Sequence, residues 1–162
     1  MNEIKFYESR IFRTTPGVSF ADLTLEASNG LDLVEHTGPS ESPHGDEEGP
    51  RWYVHVHQTD NNRVIAGERL FQLYNPSWAR RHWYVFLDAT CGALEIPPGT
   101  FHRSYSGNKG SLLLNHAIRD RMYNELTEFV PVHCDEAFRH PAHYHGISEW
   151  GVTEFINHGE YT

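Results

Sequence analysis

Two cysteines, two methionines and a shortage of positive charge mark this 162-residue chain before anything it contains. Cys91 and Cys134 are too few for a disulfide framework, so two reduced thiols are expected and the fold must rest on its own core. No stretch approaches the roughly 20 apolar residues that span a bilayer, which argues against a membrane partner. The N-terminal MNEIKFYESR lacks the charged-then-apolar order of a signal peptide, and a cytoplasmic protein is expected. Lys and Arg number 13 against 22 Asp and Glu, a net charge of −9. Such a surface repels a polyanion overall, so nucleic acid is not an expected partner. Part of the acid is local: ESPHGDEEG (41–49) reads as a solvated loop.

What the chain does hold is aromatic residues (13%), 13 glycines, nine prolines and 12 histidines. The composition is globular, rich in turns and inclined to β structure. The length suits one domain with a real core. There is no repeat, no heptad and no low-complexity tract. Short β-type runs alternate with turn signals: IKFYESRIFRT (4–14), VSFADLTLEA (18–27), LDLVEH (31–36), RWYVHVHQ (51–58), RVIAG (63–67), ERLFQLY (68–74), HWYVFL (82–87), GALEI (92–96), TFHRSYS (100–106) and SLLLNHAI (111–118). TDNN (59–62), PPG (97–99) and GNKG (107–110) read as turns, the last a strong hairpin signal. RDRMYNELTEF (119–129) is the one helix candidate. The predicted architecture is all-β, a double-sheet jelly roll or small barrel over about 18–118, with a short helical and irregular covering segment over about 119–162.

The histidines carry the chemical question. In a strand, residues i and i+2 share a face, so His55 and His57 would point together with Arg51 and Tyr53. They are either two polar positions of an exposed strand or a chelating pair. His102 follows a rigid Pro-Pro-Gly turn at the start of another strand. Taken together, the two segments resemble the paired motifs of the cupin superfamily. Gly49, five residues, His55-x-His57 is similar to the first motif, with Gly67 near its end. Gly92, four residues, Pro97-Pro98-Gly99, two residues, His102 is similar to the second, one residue short before the proline. The resemblance covers roughly 49–106 and implies a β-barrel in which both motifs meet at one divalent metal. Matched position by position, His55, His57 and His102 are the implied ligands. The glutamate usual after HxH is missing: Asn61 and Asn62 stand there, Asp60 is close but displaced, and Gln58 follows His57 directly. A three-histidine site is therefore implied, similar to those of cysteine and diketone-cleaving dioxygenases. With no carboxylate ligand the ion keeps its full charge, which favours an anionic, chelating substrate. His116 is a possible fourth ligand, opposite His102 across the GNKG hairpin, as in cupin polyketide cyclases. His140, His143 and His145 form a further cluster in the tail, and His82 reads as a surface residue. His36, His44, His133 and His158 have no supporting context.

Two chemistries fit such a site. Fe(II) with open positions would take substrate and O₂ together. Zn(II) or another Lewis acid would polarise a carbonyl, which suits a cyclase, isomerase or epimerase; Ni, Mn and Cu stay open. Tyr53, Glu95 and Tyr105 are candidate proton carriers, and Arg51 a carboxylate clamp. The expected function is a metal-dependent oxygenase of a small organic substrate. The alternatives are a redox-neutral cupin metalloenzyme and a metal-free binding cupin. Sugar-nucleotide ketoisomerases and epimerases use a barrel histidine as an acid–base group, and LLLNHAIRDRMYNELTEF resembles the end of such ketoisomerases. The family resemblance also implies a homodimer.

Overall fold

The computed structural model describes residues 4–7, 10–16, 18–22, 25, 27–138 and 143–145. Its strands are β1 (Lys5–Tyr7), β2 (Arg10–Thr15), β3 (Val18–Asp22), β4 (Gly30–His36), β5 (Ser40–Ser42), β6 (Arg51–Val54), β7 (Gln58–Tyr74), β8 (His82–Asp88), β9 (Ala93–Ile96), β10 (Phe101–Ser106), β11 (Ser111–Arg119), β12 (Val132–His133) and β13 (His143–His145). Helix is confined to α1 (Glu125–Glu128) and a 3₁₀ turn over Asp135–Phe138 among the described residues. The predicted helix over 119–129 is thus only one turn, capped by the Asn124 side chain on the Leu126 N–H. β2 and β3 form a separate two-stranded ribbon.

The architecture is the antiparallel cupin jelly roll, and β7 is its hinge between two faces. Its first half pairs with β9 (Asp60 with Ile96) and β11 (Asn62 with Asn115). Its second half pairs with β8 (Leu73 with Trp83) and β10 (His102 with Leu73). The expected turn at TDNN and the expected break between 67 and 68 are both inside this one strand of 17 residues. Turn-forming residue types are overridden there by buried partners on both sides. Asn61 donates from its backbone to Asn115 Oδ1 and from its side chain to the His116 carbonyl.

A strand can serve two sheets only if it changes face. The β7–β11 register shifts between Leu112 and Leu113, which pair with Ala66 and Val64 and leave Ile65 bulged. Even-numbered Gln58, Asp60, Asn62 and Val64 point inward before the bulge; odd-numbered Arg69, Phe71 and Leu73 are buried after it. Gly67 completes the corner. Its φ of +71° is a glycine conformation, and a Cβ there would collide with the Gly110 carbonyl oxygen. The main core is Val64, Phe71, Leu73, Val85, Leu87, Leu94, Ile96 and Leu113, contributed by β7, β8, β9 and β11. That core fills one part of the roll and leaves a cavity in the rest.

Candidate active site

The HxH segment is where sequence expectation and structure part. β6 stops at Val54, and residues 55–57 form a bend rather than a strand. The period of two therefore fails across it. His55 turns inward and is buried, whereas Val56 is 62% exposed. His57 lies outside the cavity, with Nδ1 2.9 Å from the Asp120 carboxylate. The bend persists because backbone groups that it frees find other partners. The Gly99 N–H donates to the His55 carbonyl at 2.7 Å, and the Asp120 N–H to the His57 carbonyl at 3.1 Å. The buried Glu128 carboxylate accepts the N–H groups of Val56 (2.9 Å) and His57 (3.2 Å). In place of the expected convergence with His55, His57 makes a hydrogen bond with Asp120 at the surface.

What converges instead is His55, Asp60 and His102, all buried, with one ligand-type atom from each within 4.8 Å of the others. β7 delivers Asp60, and β10, just after the Pro-Pro-Gly turn, delivers His102. His55 Nδ1–H donates to the Glu128 carbonyl (2.9 Å) and His102 Nδ1–H to the Thr100 carbonyl (3.1 Å). A carbonyl oxygen only accepts, so each ring carries a proton on Nδ1 and turns its Nε2 towards Asp60; in the neutral His102 that Nε2 is a bare lone pair. Both Nε2 atoms lie 3.6 Å from Asp60 Oδ2. The other carboxylate oxygen is occupied by Gln58 Nε2 (2.7 Å) and Asn115 Nδ2 (2.8 Å). Burial pushes the His102 pKa down to about 4, the neighbouring His55 adds to this, and Asp60 opposes it. The outcome is one carboxylate oxygen and two imidazole Nε2 atoms facing one point. Such a point accommodates a proton or a cation.

The remaining sequence candidates separate cleanly. Tyr53 lines the same cavity, its ring centroid 6.2 Å from both the His55 and His102 rings. Arg51 does not; its Nε reaches the His44 carbonyl and Asp46. Glu95 sits on β9, held by Lys5 and Tyr7, away from the cavity. Tyr105 is packed under Arg103, and burial pushes its phenol well above the usual range. His116 is on the outward-alternating face of β11, opposite Leu31 of β4. It misses His102 because β10 pairs with β5, β6 and β7, not with β11, so the GNKG turn joins strands of different sheets. His82, expected at the surface, is buried against Tyr74. His143 and His145 lie on β13, which pairs with β8; His140 and His158 fall outside the described residues. Cys91 and Cys134 are both free thiols, as expected. No helix among the described residues is long and apolar enough to cross a membrane.

The cavity has a volume of about 260 Å³ and mixes aliphatic and aromatic walls with Asp60, Asn62, Arg69 and the two imidazoles. That is at the small end of the several hundred Å³ typical of ligand sites, and suits a molecule of monosaccharide size. Behind its wall, His36 is buried with Nδ1 2.9 Å from Ser106 Oγ. Burial, with help from the Arg69 and His44 charges, lowers its pKa to about 4. In the unfolded chain an imidazole titrates near 6.5. Between these values the unfolded state binds a proton that the folded state refuses. This contribution to stability is complete above about pH 6.5 and is lost as pH falls towards 4. The urea midpoint is therefore expected to drop between pH 7 and pH 5, and to drop less in His36→Asn. An equally steep drop in that variant would refute the assignment.

Comparison with protein-family models finds no match, and comparison with curated proteins finds none. Solved structures do match. A dTDP-6-deoxy-D-glucose-3,5-epimerase from Legionella pneumophila, in complex with dTDP-4-keto-L-rhamnose, superposes with a TM-score of 0.64 at 13% identity, covering 95% of this chain and 87% of that one. A TDP-quinovose 3,4-ketoisomerase from Campylobacter jejuni gives 0.60 at 14% identity, covering 80% and 93%. A sugar 3,4-ketoisomerase from Thermoanaerobacterium thermosaccharolyticum, in complex with TDP, gives 0.58 at 11% identity, covering 78% and 86%. At such identities the likeness establishes the cupin jelly-roll fold.

Proposed function

We propose that the protein is a redox-neutral isomerase or epimerase that moves a proton at a carbon next to a carbonyl of a small sugar-type substrate. The carrying observation is the pair of imidazole Nε2 atoms held 3.6 Å from one buried carboxylate oxygen at a cavity wall. The fold neighbours named above are isomerases and epimerases of TDP- and dTDP-sugars, which favours this alternative over the oxygenase expected first.

His102 Nε2 takes the proton, because its ring is neutral near pH 7 and its lone pair is aimed inward. Asp60 stabilises the imidazolium as it forms, while Gln58 and Asn115 hold the carboxylate in place. The Tyr53 hydroxyl, on the same cavity, donates to the carbonyl oxygen or returns the proton. Phe129 packs edge-on to His55 and Tyr53 and keeps water from that end of the site.

A second reading keeps this reaction and adds a divalent cation. Three converging ligand-type atoms suit one, and two imidazoles with one carboxylate are a known donor set. His55, Asp60 and His102 would hold it, with the Nδ1–H bonds to Glu128 and Thr100 orienting the rings. When bound it would supply Lewis-acid polarisation of the carbonyl. Two of the ligands expected from sequence, His57 and His116, have no part in this set.

The test is deuterium entry from D₂O, followed by NMR, at carbons adjacent to the carbonyl. TDP-4-keto-6-deoxyglucose and free keto- and aldo-sugars, with and without a carboxylate, are the probes. Exchange with at least one probe is expected, and exchange with none would sink the proposal. Repeating the assay after EDTA treatment, and again with Zn²⁺ or Mn²⁺ restored, decides between the two readings.

A further inference from the structure

Arg69 is an unusual charge for the inside of a barrel. It lies on β7 two residues past the Gly67 corner and is only 2% exposed. Its partners are all neutral: Nε donates to Ser111 Oγ (2.8 Å), and Nη2 to the Val34 carbonyl (3.2 Å). No carboxylate of the described residues lies within ion-pairing distance of it. Burial lowers its pKa to about 10, and no acidic neighbour pushes the other way. A buried cation without a counter-charge is costly, and such groups are normally paired. Nη1 makes no hydrogen bond among the described residues, and Arg69 lines the cavity that holds His55, Asp60 and His102.

The side chain is also held in place. Ser111 Oγ, receiving the Arg69 Nε–H, is hydrogen-bonded to Ser106 Oγ at 2.7 Å, and Ser106 Oγ to His36 Nδ1 at 2.9 Å. These bonds hold the guanidinium through Nε and Nη2 and leave Nη1 without a hydrogen bond among the described residues. The ladder sets its position relative to the proton-transfer groups. His102 pairs with Leu73, so Arg69 is four residues along β7, about 13 Å at 3.3 Å per residue before its own reach is subtracted. The cavity therefore has proton-accepting groups at one end and an open cation at the other. Its other acid, Asp32, is engaged by Arg119 at 2.6 Å. One open guanidinium flanked by serines and aliphatic walls matches a monoanion; a phosphate dianion would call for a second cation.

We propose that Arg69 receives a carboxylate carried by the substrate, so that the substrate is a carbonyl-bearing sugar acid of monosaccharide size. The carbonyl end of this assignment rests on the proton-transfer reading above; the carboxylate end does not. The test is calorimetric binding of D-glucuronate and D-galacturonate against glucuronamide, the neutral sugars and glucose 6-phosphate. The wild-type protein is expected to bind at least one uronate at least tenfold more tightly than its neutral counterpart. Arg69→Met should erase that preference, and Arg69→Lys should keep part of it. The comparison of uronate with uronamide in the wild type needs no variant to fold. No preference for either uronate, a preference that survives in Arg69→Met, or tighter binding of glucose 6-phosphate than of either uronate overturns the proposal. His102→Asn should keep the preference while ending deuterium exchange. Preference without exchange in the wild type would therefore sink the reaction and leave the carboxylate site standing.

Discussion

His102→Asn is expected to slow deuterium exchange by about 10²- to 10⁴-fold, the range that a positioned general base supplies. Asparagine is the informative replacement. Its amide can still donate towards the Thr100 carbonyl, which accepts the His102 Nδ1–H in the parent protein. What it lacks is a basic lone pair at the Nε2 position facing Asp60. The buried site therefore keeps its packing and loses its proton acceptor. His57→Ala is the control that sequence reasoning would have chosen as equally damaging. That ring is about one-third exposed and pairs with the surface carboxylate of Asp120, so its loss is expected to leave exchange near the parent rate. Rates of the two variants, measured beside their urea midpoints, decide the matter. Equal losses in both would mean that His57 acts with His102 after all. A slow His102→Asn protein with a much lower midpoint would point to unfolding instead of chemistry.

The contrast between these histidines shows what the chain displays openly and what it conceals. The β-strands and the Pro-Pro-Gly turn that presents His102 follow from local pattern, because turn chemistry and alternation are local physics. The break at His55 does not. It depends on Glu128, 73 positions further along the chain, whose carboxylate takes two N–H groups that a continuing strand would have paired. Asp60 was masked by its neighbours: Thr-Asp-Asn-Asn reads as a turn until Asn115 and Gln58 supply partners that make it a buried strand. The signal available was the even spacing of Gln58, Asp60, Asn62 and Val64, a period of two on one face. Arg69 was hidden by the bulge at Ile65, which inverts the alternation and carries an apparently outward charge to the inside. His116 failed for a topological reason, since hairpin proximity in sequence does not say which sheet each strand joins.

That dependence on Glu128 leads to the largest expected loss of stability. The side chain is only 3% exposed and closes the HxH bend from below. Its carboxylate accepts from Val56 and His57, and its own backbone carbonyl orients the His55 ring. In Glu128→Ala both N–H groups lose their acceptor in a place where the bend, not the ladder, must satisfy them. Hydrogen bonds to a charged group contribute roughly 1.5–3 kcal/mol each, so the variant is expected to lose about 3–6 kcal/mol. That is a large fraction of the 5–15 kcal/mol that typically separates folded from unfolded states. Glu128→Gln keeps one acceptor oxygen in the same volume and should lose about 1–2 kcal/mol. The substitution also reaches the chemistry. With the bend loosened, His55 is no longer fixed 3.6 Å from Asp60, and exchange should fall in the fraction of Glu128→Ala that remains folded. Urea unfolding of both variants gives the energies, and exchange assayed well below the unfolding midpoint gives the coupling. A midpoint for Glu128→Ala equal to that of Glu128→Gln would show that the bend holds itself, and that a strand carrying HxH could turn inward without this distant carboxylate.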